Sequence, residues 1–337
     1  MCFSDRFSIS KLRYKRVSSP KKYFMSILYI IIGLTLLVLG GNWLLKAAVG
    51  LSLKLHIPKI VIGMTVVSFA TSAPELIVSI KSALDGATGL AVGNVIGSNI
   101  ANLGLVLGIT VILSSIDVEK SFYKTDWPVM MIASVMLYFF IVNDKIIQFY
   151  EGAILFGMLV VFLIYLLRFQ KQAVVDEMPE DDEELPLYKI VLFLAVGGVG
   201  LWGGSELLIN GSVSLAKNLG VSDAIIGVTV VSVGTSVPEL AASIIAVLKK
   251  EKAISLGNLV GSNVFNILAV LGITAMITPV EVKPDAYSLI NNDIYWMLGV
   301  SFAILPLVFI PKGMRLGWRD GIILLAAYAT FIYLTIS

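Results

Sequence analysis

"FATSAPEL", residues 69–76, and "VGTSVPEL", residues 233–240, stand 164 positions apart and share Thr, Ser, Pro, Glu and Leu in the same order. Both lie in apolar surroundings, where a proline removes a helical hydrogen bond and a carboxylate resists burial. The pair belongs to a longer match. Residues 63–110 align without a gap on residues 227–274, with 24 identities in 48 positions, and the register holds back to Gly40 and Gly204. The two halves of the chain are therefore copies of one ancestral half.

Of the 337 residues, 57% are hydrophobic and 14% charged, with a mean hydropathy of +0.91. Soluble domains run at roughly 45–50% and about 25%, so an ordinary soluble domain is excluded. Apolar runs of about 20 residues, the length that crosses a bilayer, recur at 26–45, 57–80, 90–114, 127–143, 147–167, 187–209, 224–247, 254–278, 292–311 and 318–336. Five precede residue 170 and five follow residue 186. The expected fold is an all-α integral membrane protein with ten transmembrane helices in two five-helix repeats. An odd number of spans per copy turns the second copy over, which is an inverted-topology repeat. The expected organisation is a basic tail at 1–25, a first repeat at 26–170, an acidic linker at 171–186 and a second repeat at 187–337. The core of the linker, "DEMPEDDEELP" at 176–186, reads as a solvated connection.

Loop charges orient this arrangement. With the N-terminal end of the first span outside, the inside loops collect Lys46, Lys54, Lys59, Lys120, Lys124, Arg168, Lys171, Lys189, Lys249, Lys250, Lys252, Lys312, Arg315 and Arg319. The outside loops keep only Lys81, Lys145, Lys217 and Lys283, as the positive-inside bias requires. One segment runs against it: residues 1–24 carry Arg6, Lys11, Arg13, Lys15, Arg16, Lys21 and Lys22, without the apolar stretch of a signal peptide. The expectation is a native start at Met25, with the tail before it not native.

The repeated motif supplies oxygen ligands. Pro74 deprives the carbonyl of Ala70 of its helical partner, and Pro238 does the same to Gly234. On one helix face Ser68, Thr71 and Ser72 lead up to Glu75, and Ser232, Thr235 and Ser236 repeat the set before Glu239. The next helix adds Asn94, Ser98 and Asn102 at spacings of four, with Asn258, Ser262 and Asn266 as their equivalents. Gly93 with Gly97 and Gly257 with Gly261 make small-residue patches that let helices approach closely. Taken singly, such hydroxyls and amides usually join helices or bond their own backbone. A carboxylate near the bilayer centre, at about 2.5–3.5 kcal/mol, needs a functional reason. No intramembrane Lys or Arg lies near either motif, so dissolved cations are the natural counter-charge, and hard cations such as Ca2+ or Na+ want oxygen. Cys2 is the only cysteine and His56 the only histidine, which argues against disulfides, zinc sites and histidine proton relays. Glu206, whose counterpart is Asn42, reads as an interfacial or packing acid, and Trp43 and Trp202 as interface anchors.

At these residues the chain resembles the cation/Ca2+ exchanger superfamily, in particular the prokaryotic sodium/calcium antiporters. The "GTSxPE" and "GNxxGSNxxN" pairs are similar to that family's two alpha-repeats, and the resemblance covers residues 26–337. It implies ten helices with spans two, three, seven and eight around the ions, and spans one and six sliding across them. It further implies that Glu75 and Glu239 hold Ca2+ and are shared with Na+. Thr71, Ser72, Thr235 and Ser236, with carbonyls near Ser68 and Ser232, would line flanking Na+ positions. Ser98, Asn102, Ser262 and Asn266 would complete the cage.

Two departures stand out: Ala70 replaces the usual Gly before Thr71, and Asn266 stands where several relatives, potassium-dependent exchangers among them, carry aspartate, which argues against potassium co-transport. The implied function is a Na+/Ca2+ antiporter of the plasma (inner) membrane. It has no prosthetic group, its partners are Ca2+, Na+ and the lipid bilayer, and neither nucleic acid nor an obligatory protein partner is called for. H+/Ca2+ exchange is the nearest alternative, and a passive cation channel a more distant one. An enzyme is not expected, since the spans hold no Ser–His pair, metal-binding His pair or Asp dyad.

Overall fold

In hydrocarbon every backbone polar group must be satisfied within the protein, so long apolar runs fold as helices. The computed structural model describes residues 20–169, 185–219, 234–310 and 313–336. The acidic run at 176–184, the first half of the 224–247 span and Ser232 lie outside the described residues, as does the basic tail up to residue 19. Eleven helical segments follow in order: α1 (Pro20–Leu55), α2 (Lys59–Thr71), α3 (Ala73–Leu84), α4 (Thr88–Leu113), α5 (Phe122–Asp144), α6 (Phe149–Phe169), α7 (Leu187–Asn218), α8 (Val237–Leu248), α9 (Lys252–Ile277), α10 (Leu289–Phe309) and α11 (Trp318–Ile336). Among the described residues seven helices are long and apolar enough to cross a membrane, or up to eight if α2 and α3, bent by 45° at their junction, form one span. The protein is all-α, with four two-residue strands among the described residues.

The helices α4 and α9 are the buried centre, with 78% and 83% of their apolar windows inside the protein against 28–39% for the other spans. Each is clamped by a helix of the other half. A Cβ at Gly321 of α11 would lie 2.5 Å from the carbonyl oxygen of Gly108 on α4, and one at Gly152 of α6 would lie 2.7 Å from that of Gly272 on α9. Gly108 and Gly272 are equivalent positions of the duplication. The strands repeat the symmetry: β1 (Ile116–Asp117) pairs antiparallel with β4 (Arg315–Leu316), and β2 (Ile146–Ile147) with β3 (Val280–Glu281).

Equivalent helices α1 and α7 pack along each other through glycine. An added Cβ would meet backbone at 2.7 Å at Gly33 (Leu208), Gly40 (Leu201) and Gly197 (Leu44). Tyr23 donates to the Asn218 carbonyl and Ser26 to Ser214, so residue numbers rise on one helix as they fall on the other. The two are antiparallel, the relation that an inverted repeat demands. At 36 and 32 residues they outrun the segments expected at 26–45 and 187–209. At 1.5 Å per residue they measure about 54 and 48 Å, well beyond a hydrocarbon core of about 30 Å. Trp43, Trp202 and Glu206 accordingly lie inside helices rather than at their ends. Hydropathy marks the lipid slab, whereas Lys46, Lys54 and Lys217 are good enough helix residues to carry the backbone past it.

Polar contacts gather at two ends. At one, Lys59 pairs with Glu251 at 2.9 Å, Lys252 donates to the Ser115 carbonyl, and Arg315 reaches Ser115 and Asp117. At the other, Lys283 donates to the Gly86 carbonyl and Lys145 lies 4.3 Å from the Tyr287 ring centre. The helix α4 connects Gly86 to Ser115, and α9 connects Lys252 to Val280, so these are opposite ends of the bundle.

Candidate functional site

The helical path breaks just before each motif proline. Ser72 has φ −89° and ψ 3°, Ser236 has φ −88° and ψ 5°, and Pro74 and Pro238 follow in the first turn of α3 and α8. A proline is tolerated there because a first-turn amide has no helical acceptor. Two consequences follow at one point. The preceding turn presents carbonyls without helical donors, and Glu75 and Glu239 fall in the first turn of a new helix, where the dipole favours an anion. Cation ligands and carboxylates are thereby brought together.

Glu75 and Glu239 are fully buried. Around them the halves interleave. Thr71 lies 3.4 Å from Ser262, and its equivalent Thr235 lies 3.3 Å from Ser98, hydroxyl to hydroxyl. Ser72 donates to Glu239 Oε1 at 3.3 Å. Five buried acceptor oxygens nevertheless have no donor: both of Glu75, Oε2 of Glu239, and Oδ1 of Asn102 and of Asn266. The Ser236 hydroxyl is also unpartnered. Among the described residues neither glutamate has a lysine or arginine partner, and no cluster of three or more His, Cys, Asp or Glu exists. Orphaned oxygens are expensive in hydrocarbon, and this set, two carboxylates with amide and hydroxyl oxygens, suits a hard cation rather than zinc.

Of the residues expected from sequence, Glu75, Glu239, Thr71, Ser72, Thr235, Ser236, Ser98, Asn102, Ser262 and Asn266 share this region. Ser68 stands one layer back: its hydroxyl donates to the carbonyls of Gly63 and Asn258, and its own carbonyl accepts from Ser72 N. Asn94 and Asn258 are also second-layer, donating to Ser79 and Ser243 at 3.0 and 3.2 Å, while Asn258 Oδ1 accepts from Thr71. The close approach of α9 to α2 needs glycine, since a Cβ at Gly257 would lie 2.4 Å from the Ile60 carbonyl and one at Gly261 2.6 Å from the Met64 Cα. Sequence reasoning missed Asn99 and Asn263. Their signal was identity in both copies, beside Ser98 and Ser262. It also missed Ser205 of α7, whose hydroxyl donates at 2.9 Å to the Gly234 carbonyl, the one Pro238 leaves without an amide. Its counterpart, Gly41, has no such donor.

Fold and site define a multi-pass membrane protein of duplicated halves with a buried oxygen cage suited to metal cations. A family profile described as sodium/calcium exchanger protein matches residues 25–168 and 189–337. The chain belongs to the sodium/calcium exchanger family, within the prokaryotic branch of the cation/Ca2+ exchanger superfamily. It is 36% identical to the putative antiporter CaxA of Alkalimonas amylolytica over 92% of this chain and 98% of that one. It is 28% identical to the sodium/calcium exchanger MaX1 of Methanosarcina acetivorans over 91% and 97%. Among solved structures it matches the sodium-calcium exchanger NCX_Mj, soaked with zero Na+ and Ca2+, with a TM-score of 0.78 and 27% identity over 92% of this chain and 98% of that one.

Proposed function

We propose that the protein is a secondary active antiporter exchanging Na+ for Ca2+ by alternating access at this buried cage, within ten helices arranged as two inverted repeats. The observation that carries the reading is the group of buried acceptor oxygens on Glu75, Glu239, Asn102 and Asn266 that no protein donor satisfies. Glu75 and Glu239 hold Ca2+ and are shared with Na+. Thr71, Ser72, Thr235 and Ser236, with the Ser68 and Ser232 carbonyls, serve flanking Na+ positions, and Ser98, Asn102, Ser262 and Asn266 close the cage.

Charge explains the coupling. Two ionised glutamates are neutralised by one Ca2+ or by Na+ ions entering the same ligands, and the two loads exclude each other. A loaded, nearly neutral site can be sealed in a low dielectric, whereas an empty charged one is costly to seal. The antiparallel pair α1 and α7 packs chiefly on itself, and its glycine-lined seam supports its role as the unit that shifts across the cage-bearing helices. By the loop charges, the N-terminal end of the first span lies outside the inner membrane.

Proteoliposomes loaded with Na+ and diluted into Na+-free buffer containing 45Ca2+ should accumulate Ca2+. An imposed pH gradient without Na+ should drive none. Uptake driven by the pH gradient alone would replace Na+ with H+ as the coupling ion, and equal flux without any gradient would mean a channel.

A further inference from the structure

Asn99 and Asn263 are buried beside the cage, and neither carries one of its open oxygens. We propose that they are positioning residues forming a crossed amide clasp, through which each half of the chain aims the ligand oxygen of the other half. This rests on the reading that those oxygens hold cations.

The geometry is a closed pattern of four hydrogen bonds. Asn99 Nδ2 donates to the Asn263 carbonyl at 3.2 Å, and Asn263 Nδ2 to the Asn99 carbonyl at 3.1 Å. Their side-chain oxygens then accept from the ligand residues: Asn266 Nδ2 donates to Asn99 Oδ1 at 3.0 Å, and Asn102 Nδ2 to Asn263 Oδ1 at 3.2 Å. A primary amide has two faces of opposite polarity and nearly equal shape, so sterics alone does not decide which one meets the ion. Here the decision starts at a backbone carbonyl, which cannot be anything but an acceptor. It fixes the amino group of Asn99 or Asn263, that places their oxygen, and the oxygen captures the amino group of Asn266 or Asn102. What remains free on Asn102 and Asn266 is Oδ1, the atom a cation wants. A flip of any one of the four amides sets donor against donor or acceptor against acceptor among fully buried groups.

The pairing crosses the duplication. Asn99 lies one turn from Asn102 on the same helix, yet it holds Asn266. Asn102 and Asn266 each open a π-helical stretch (Asn102–Val106 and Asn266–Leu271), a widened turn that recurs at functional sites. Each half-site thus depends on the opposite half for its polarity.

The crossing makes a sharp test. Ca2+ and Na+ binding to the purified full chain in detergent is measured for Asn99→Ala, Asn102→Ala, Asn266→Ala and the doubles, alongside melting temperature in cation-free buffer. Each single change should weaken Ca2+ binding about tenfold, the cost of losing or misdirecting one charge-assisted contact. Adding Asn99→Ala to Asn266→Ala should cost less than about threefold more, because its target is already gone, whereas adding it to Asn102→Ala should multiply by the full factor. Multiplicative loss in the 99/266 pair overturns the clasp, as does a lowered melting temperature with unchanged Ca2+ binding. If Asn99→Ala does not fold, the mirror cycle of Asn263→Ala with Asn102→Ala decides by the same criterion. A wild-type protein that binds neither cation sinks the functional reading first, and the clasp loses its purpose with it.

Discussion

At Glu75 the two carboxylate oxygens have no donor and no cationic side chain beside them, so the folded state holds an uncompensated polar group in its most buried layer. Removing a buried charge whose partner is absent relieves the fold rather than harming it. Glu75→Gln and Glu239→Gln should therefore melt no lower than wild type in cation-free detergent. Ca2+ at 100 times the wild-type Kd should stabilise wild type by about 2.7 kcal/mol, whereas each Gln variant, having lost a charged ligand worth about 1.5–3 kcal/mol or ten- to a hundredfold in affinity, should keep about half of that shift or less. Differential scanning fluorimetry checks both halves, and a Gln variant that melts lower yet keeps the full Ca2+ shift would contradict them. These glutamates were legible in the sequence because a carboxylate in an apolar run is anomalous once and informative twice. Asn99 was not. A buried asparagine beside a serine reads as packing, and only the facing of α4 against α9 shows that its oxygen is occupied by Asn266 and its amino group by a backbone carbonyl.

Between residues and bundle, the elements owe their shape to two prolines and a line of glycines. Pro74→Ala returns an amide hydrogen to the Ala70 carbonyl and favours a straight path through the 45° bend, turning Thr71 and Ser72 away from Glu75. Ca2+ affinity should fall about tenfold or more, one or two ligand contacts' worth, with melting temperature unchanged or raised. Titration of Ca2+-dependent melting reads this, and unchanged affinity would mean that the bend only packs. Along the α1–α7 seam, Gly40→Ala puts a methyl 2.7 Å from the Leu201 amide nitrogen and 2.9 Å from the Gly197 carbonyl oxygen. Backbone cannot rotate away, so the helices must separate at about 1–3 kcal/mol, and transport should drop with stability. Gly157→Ala on α6, where no atom lies within 4 Å of the new methyl, should leave both within about 0.5 kcal/mol. Proline breaks are local chemistry and were readable in advance. The lengths of α1 and α7 were not, because their ends are set by packing against each other beyond the apolar slab.

Over the whole molecule, the duplication predicts an axis that exchanges the halves, and several independent contacts obey it. The helices α4 and α9 each receive a clamp from the other half, β1–β4 mirrors β3–β2, and α1 opposes α7. Lys59, Lys252 and Arg315 meet Glu251, Ser115 and Asp117 at one end, while Lys145 and Lys283 meet Tyr287 and Gly86 at the other. That division is the one the loop charges drew, and the orientation proposed from the positive-inside bias puts the first end in the cytoplasm. Lys120 and Lys283 are both exposed, and α5 and α9 carry the chain between their two ends of the bundle. In a background where Cys2, the sole cysteine, is replaced by Ser, Lys283→Cys should react with a membrane-impermeant maleimide in spheroplasts. Lys120→Cys should react only in everted vesicles. Exchanged results would invert the protein in its membrane, and with it the side from which each cation enters. Labelling of both from one side would break the parity of spans on which the inverted repeat depends, even with the cage intact. Each position lies away from the glutamates, so both variants should retain Na+-driven Ca2+ uptake, which confirms that the labelled molecules are folded.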